Sequence, residues 1–251
     1  MMHVNSLGVG SRLLPLSFNA KSGEIIHVIG PNGSGKSTLL TAIAGMLDYH
    51  GDIVLEQTEL RHYSIAQLAE RRAFLSQADR PAFNLEVAHY LSLSLPQNAK
   101  HNLDEVEKVV GELATMLLID DKLHRGIHQL SGGEWQRVRL CAICLQIWPS
   151  LNPYSQLLIL DEPAAPLDIG QEALLYKLID KVAAQGLTVI MSNHDLNRTL
   201  KHADRAILLD KGVMRACGAV DEVLNPALLS EVFKTAVERH VINGSPILLF
   251  D

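Results

Sequence analysis

Residues 25–38 read "IIHVIGPNGSGKST". An apolar run broken only by His27 leads into three glycines, a lysine and three hydroxyls. Then Leu39, Leu40, Ile43, Met46 and Leu47 recur at helical spacing. The apolar run predicts a buried strand, the glycines a turn, and the periodic residues a helix. A strand, G-x-x-x-x-G-K-[ST] and a helix in that order form a phosphate-binding loop, which Gly30 to Ser37 matches in context. The nucleotide-binding residues expected are Gly30, Pro31, Asn32, Gly33, Ser34, Gly35, Lys36, Ser37 and Thr38. Glycines let several N–H groups converge, and the helix start adds its positive dipole end. Lys36 supplies a charge for the β- and γ-phosphates and Ser37 a hydroxyl for Mg²⁺. A purely structural glycine turn explains the glycines but neither the lysine nor the serine. The loop is read as holding a nucleoside triphosphate.

Working outward, "LLILDEP" (157–163) is a second buried strand with carboxylates at its tip. An acid there is costly unless a cation or hydrogen bonds compensate it, so Asp161 is expected at Mg²⁺. The adjacent Glu162 is placed to orient or deprotonate water. The third element, "QLSGGEWQRV" (129–138), opens a helix with Ser131, Gly132 and Gly133. It reads both as an anion site and as a capping box between Ser131 and Glu134. "LTVIMS" (187–192) is a further strand, with a helix over about 169–185 before it. "RAILLDKGVMRA" reads as a hairpin turning at Asp210-Lys211-Gly212.

Alternating strands and helices predict an α/β fold. The expectation is a single domain over 1–251. It comprises an α/β core of approximately 1–83 and 151–220, an inserted helical subdomain of approximately 84–150 and a tail of approximately 221–251. In the tail only a helix-like "AVDEVL" and Asn225-Pro226 stand out.

Composition narrows the class. The 251 residues are 47% hydrophobic with a net charge of −6, so the chain carries no basic field for nucleic acid. Three cysteines without regular spacing do not form a secreted disulfide framework. Cys141 and Cys144 spell C-x-x-C but lie in an apolar helical run, where small core residues belong. The N-terminus lacks a charged-then-apolar signal, and no uncharged apolar stretch reaches the roughly 18 residues of a membrane span. A cytoplasmic protein seated on a membrane partner is expected.

Together these motifs resemble the ATP-binding cassette family over nearly the whole chain. "LSGGE" (130–134) is similar to the family signature, Gln77 in "FLSQ" lies at its glutamine loop, and "SNHD" puts His194 at its switch histidine. Asp168 of "LD" ends the segment the family uses across its dimer interface. The resemblance implies a P-loop NTPase (RecA-like) core with an inserted helical subdomain and a small antiparallel β portion. It implies ATP and Mg²⁺, the metal held by Ser37, Gln77 and Asp161. Catalysis would rest on Glu162 as general base, His194 at the γ-phosphate and Lys36. The family's cassettes pair head to tail, so Ser131, Gly132, Gly133 and Glu134 would act in trans within a homodimer.

A lone cassette resembles the ATPase subunit of an importer. That implies two transmembrane permease subunits contacted through approximately 76–91, and a periplasmic binding protein indirectly. The place implied is the cytoplasmic face of the inner membrane, as a peripheral subunit. "NHDLN" (193–197) is similar to the importers of iron-siderophores, haem and cobalamin. "IDDKLHRGIHQLSGGEWQRVRL" (119–140) resembles the cobalamin-importing members. An iron-siderophore or haem importer and a soluble ATPase of repair or regulation remain as alternatives. The sequence departs from the family in two places. "LGVGSRLLPLSF" offers no early aromatic ring for adenine, leaving Leu7, Val9 or Arg12, and Ala165-Pro166 stand where the family commonly carries serine and a small residue.

Overall fold

The computed structural model describes residues 1–76, 80–97, 99 and 102–251. The chain divides into two compact units, Met1–Tyr63 with Thr188–Asp251, and Ser64–Leu187.

The first unit opens with β1 (Met2–Val9) and β2 (Leu13–Ala20), followed by β3 (Ile25–Ile29), helix α1 (Lys36–Ile43), β4 (His50–Leu55) and β5 (Thr58–Glu59). β1, β2, β4 and β5 form an antiparallel sheet in the order β2-β1-β4-β5. From Leu16 to Ala20, β2 alternates buried and exposed residues as a one-sided strand must. By contrast β3 is buried at every position, which is why its sequence is a run rather than an alternation.

The unit resumes after residue 187 with β8 (Thr188–Ser192), which pairs with β3 in parallel, as does β9 (Arg205–Asp210). β10 (Val213–Ala219) returns antiparallel on β9, so the strands run β10-β9-β3-β8. The β9–β10 turn falls where the sequence predicts it. Lys211 and Gly212 sit at φ 49° and 78°, two left-handed residues as a two-residue hairpin loop requires. Helix α7 (Leu196–His202) lies between β8 and β9, and α8 (Val220–Val223) and α9 (Pro226–Phe233) follow β10. Asn225 caps α9 with Pro226 in its first turn.

The chain ends in an antiparallel hairpin of β11 (Val237–Ile242) and β12 (Ser245–Phe250). Its turn, Asn243-Gly244, has φ 50° and 77°. Val237 and Leu248 of the hairpin pack in one buried cluster with Ile29, Leu196, Leu208 and Leu229. The tail is therefore part of this unit's core.

The second unit contains α2 (Ile65–Arg71), β6 (Arg72–Leu75), α3 (Val87–Leu93), α4 (Leu103–Leu117), α5 (Gly132–Ile147), β7 (Leu157–Leu160) and α6 (Ile169–Ala184). β6 and β7 pair in parallel. α5 is the unit's central helix, with eleven of its sixteen residues buried, Cys141 and Cys144 among them. Burial pushes the Cys141 thiol up to about 12 and raises that of Cys144 as well, so both are inert thiols at neutral pH. α4 presents Val109, Leu113, Ala114 and Leu117 to the interior. Its last carbonyls, those of Leu117 and Leu118, accept bonds of 2.6 and 2.7 Å from the buried Arg137 guanidinium of α5. Among the described residues no helix is long and apolar enough to cross a membrane.

Candidate functional site

The glycine loop links the end of β3 to α1 in the first unit. A Cβ on Gly30 (φ +146°) would lie 2.1 Å from the Leu209 carbonyl oxygen, so the loop leaves the sheet against β9 with no room for a side chain. Gly35, at φ +106°, is the residue that caps α1, and no side chain closes the helix start. The first N–H groups of any helix lack acceptors within it, and a start without a side-chain cap suits an anion. Lys36 is 5% exposed, its Nζ donating to the carbonyl oxygens of Gly30 (2.9 Å) and Pro31 (3.1 Å). The ammonium is thereby held inside the loop's curve. Asn32, Gly33 and Ser37 are exposed, while Pro31 and Thr38 are half-buried. Ser34 is buried, and its Oγ has no hydrogen-bond partner among the described residues. A donor in that place suits a phosphate oxygen.

The turns between β1 and β2 and between β9 and β10 brace this loop. The Arg12 carbonyl oxygen would be 3.2 Å from a Cβ on Gly35, and the Gly212 N–H donates to the Ser34 carbonyl at 2.9 Å. Of the three residues considered for the adenine, Leu7 and Val9 are buried, and Arg12 is exposed beside the loop.

In the same unit His194 follows β8, exposed, between two fixed neighbours. The Asn193 N–H donates to the Val28 carbonyl of β3 at 3.1 Å, and Asp195 caps α7 through the Arg198 N–H at 2.9 Å. The phosphate loop and His194 thus leave the C-terminal ends of the adjacent parallel strands β3 and β8, where open α/β sheets place their ligands.

In the second unit Asp161 and Glu162 follow β7. The Asp161 N–H donates to the Leu75 carbonyl of β6 at 2.9 Å, and Asp161 is 7% exposed. Glu162 has φ +49°, a left-handed conformation that a residue with a side chain adopts at a cost of about 1–2 kcal/mol. Strain of this kind persists where surrounding bonds hold it. Here Gln136 of α5 donates to the Pro163 carbonyl at 2.8 Å.

α5 begins at the signature. Ser131 Oγ accepts from the Glu134 N–H (3.2 Å), and Glu134 Oε2 accepts from the Ser131 N–H (2.8 Å), the capping box expected from the sequence. Lys122 and Arg125 lie 3.4 and 3.9 Å from Glu134. A Cβ on Gly132 would meet open space, whereas one on Gly133 would strike the Gln171 side chain of α6. Asp168 caps α6 through the Gln171 N–H at 2.8 Å.

The structure brings Gly30–Thr38 and His194 together in one unit, and Ser131–Glu134, Asp161, Glu162 and Asp168 in the other. Gln77 lies outside the described residues. Sequence reasoning missed Arg80, whose guanidinium donates to the Leu130 (2.6 Å) and Ser131 (3.0 Å) carbonyls and steadies the approach to α5. It also missed His27, a buried polar residue inside the apolar run before the loop.

The ABC transporter family matches residues 13–165. The chain is 59% identical over its full length, and the relative's, to the vitamin B12 import ATP-binding protein BtuD of Vibrio atlanticus. It is 55% identical, again over both full lengths, to that of Vibrio cholerae serotype O1 strain M66-2. Among solved structures, the ATP-binding subunit of an ABC transporter superposes with a TM-score of 0.79 at 23% identity, covering 93% of this chain and 98% of that one. The protein cbiO1 of Clostridium perfringens, part of the cbiONQ ABC transporter complex, gives a TM-score of 0.74 at 25% identity over 92% of each chain. With the glycine loop, the strand-tip carboxylates and the capped signature helix all in place, the chain belongs to the ABC transporter family.

Proposed function

We propose that the chain is the ATP-hydrolysing subunit of a vitamin B12 importer and works through a partner permease. The observation that carries this reading is the 59% identity, end to end, with a relative whose name states vitamin B12 import and ATP binding. The open N-terminus of α1 and the enclosed Lys36 supply the chemistry that a triphosphate needs.

On this reading Gly30–Thr38, Gln77, Asp161, Glu162 and His194 act on the nucleotide of their own chain. Ser131, Gly132, Gly133 and Glu134 act on that of a second copy, in a homodimer whose interface includes Asp168. Phosphoryl transfer is dominated by positioning and by neutralising oxygen charge. Lys36 and the N–H groups of α1 hold the β- and γ-phosphates, and His194 contacts the γ-phosphate. Glu162 orients the attacking water and takes its proton. The hydroxyl, carboxylate and amide oxygens of Ser37, Asp161 and Gln77 are hard donors of the kind Mg²⁺ takes. When bound, that ion neutralises charge on the phosphate oxygens. ATP favours the closed pair and its hydrolysis releases it, a two-state change that segment 76–91 passes to the permease. The chain sits on the cytoplasmic face of the inner membrane, and a periplasmic binding protein delivers the vitamin from the other side.

The test is uptake of labelled cobalamin in cells whose chromosomal copy carries Glu162→Gln, with labelled ferric siderophore in parallel. ATP binding is expected to persist while hydrolysis falls roughly 10²- to 10⁴-fold and cobalamin uptake alone is lost. Normal cobalamin uptake with failing siderophore uptake overturns the vitamin and leaves the ATPase. Near-normal hydrolysis overturns the role of Glu162.

A further inference from the structure

The segment Asn193–Thr199, which carries His194, is fastened on two opposite sides. Towards the sheet, His27 Nδ1 in β3 lies 3.0 Å from Thr199 Oγ1 and 3.4 Å from Asn193 Nδ2. Asn193 Oδ1 accepts from the Asp195 N–H at 3.1 Å. Towards the tail, Asn197 binds one residue of the terminal hairpin through both ends of its amide. Its Nδ2 donates to the Leu248 carbonyl at 3.0 Å, and its Oδ1 accepts from the Leu248 N–H at 2.7 Å. An asparagine amide that pairs with the N–H and C=O of one residue stands in for a neighbouring strand.

Helix α7 has seven residues, too few to hold its own direction by intrahelical bonds. Its direction is set by what it packs against. Leu196 is buried in the cluster that holds Val237 and Leu248, but apolar burial is non-directional and by itself allows small changes of angle. The paired bonds of Asn197 to Leu248 do not, because both are lost on a shift of an ångström or two. Asn197 is also the last residue of "NHDLN", and the proposed chemistry gives it no task.

We propose that Asn197 is a positioning residue for His194. Through it the terminal hairpin sets the angle of α7, and with it the histidine three residues earlier. This rests on the reading of His194 as the residue that meets the γ-phosphate. The hairpin is thus a working part of turnover. Anything that loosens it slows hydrolysis while the glycine loop still binds nucleotide.

The experiment measures ATP turnover by the full-length protein carrying Asn197→Leu, His194→Ala or both, with sites per chain counted by ADP titration. Asn197→Leu keeps the branching of the side chain in a bulkier form and removes both bonds. It is expected to lower kcat about tenfold, short of the roughly 10²-fold that a misplacement of one ångström can cost. KM for ATP and the ADP site count should be unchanged. Asn197→Asp, which keeps the acceptor and loses the donor, should lie between. In the His194→Ala background Asn197→Leu should cost nothing further, because there is no histidine left to aim. A full additional loss in that background, or a fall in ADP sites matching the fall in kcat, overturns the proposal in favour of simple destabilisation. Unchanged kcat in Asn197→Leu beside a large loss in His194→Ala overturns the coupling and leaves the histidine's role standing. If His194→Ala itself turns over normally, the histidine's role falls and the coupling falls with it.

Discussion

Two helices of this protein begin with the same kinds of residue and end up in opposite states. α1 starts behind Gly35 in a left-handed conformation, with no side-chain cap and no acid in its first turn. α5 starts behind Ser131 in an extended conformation, closed by a reciprocal box with Glu134, and that carboxylate is itself held by Lys122 and Arg125. The first four N–H groups of any helix need acceptors from outside it. α5 finds part of its set in its own side chains, at Ser131 Oγ. α1 finds none there, and places an ammonium among the loop carbonyls instead. One start leaves its N–H groups to acceptors other than its own side chains, and the other closes itself in part.

The sharpest way to break this contrast is at Lys36. Removing a positioned cation from the phosphates, as in Lys36→Ala, should lower ATP turnover about 10³-fold, the upper end of what one electrostatic contact is worth. Phosphate release from the purified protein measures it. A loss of only a few-fold would mean that α1 depends on its ligand no more than α5 does.

Acid should separate the two regions next. Burial, with His202 nearby, pushes the His27 imidazole down to about 3. Between pH 6.5 and about 3 the unfolded chain therefore binds a proton at this residue that the folded chain refuses, and stability falls as pH falls through that window. At α5 the sign favours the fold for longer. The Ser131 N–H, with further help from Ser131 and Lys122, holds the Glu134 carboxyl below its ordinary range. Its contribution is complete above about 4.5 and is lost only as pH falls through the lowered value. Acid should therefore weaken the β3 side first. Urea unfolding at pH 6.5 and pH 5 should show a loss of about 1–2 kcal/mol in the wild type beyond that in His27→Leu. Identical losses in the two proteins would remove His27 as the cause.

The smallest effect is expected at Ser131. Ser131→Ala removes the cap of α5 and should cost about 1 kcal/mol of stability, read as a fall in Tm. The variant also sharpens the comparison. A turnover loss far beyond that cost would show that the hydroxyl serves a bound phosphate as well as the helix.

What the chain wrote locally was readable without coordinates. The glycine loop declares itself because Gly30 and Gly35 occupy conformations and spaces that a side chain cannot share. β3, β7 and β8 read as runs because each is buried at every residue, and the Ser131–Glu134 box because its partners are three residues apart. The terminal hairpin has a local trace in Asn243-Gly244, a turn pair between two strands, which the reading of the tail passed over. The sequence of the tail could not say where that hairpin would lie. Asn197 and Leu248 are 51 positions apart, and His27 and Thr199 are 172 apart. Periodicity and turn chemistry reach only a few residues along the chain, so no local pattern predicts such pairs. They exist because parallel strands far apart in sequence became neighbours and the apolar face of the tail had one place to be buried. The chemistry of the phosphate loop was legible because backbone sterics are local. The fastening of His194 belongs to the tertiary structure, because only packing decides which distant groups meet.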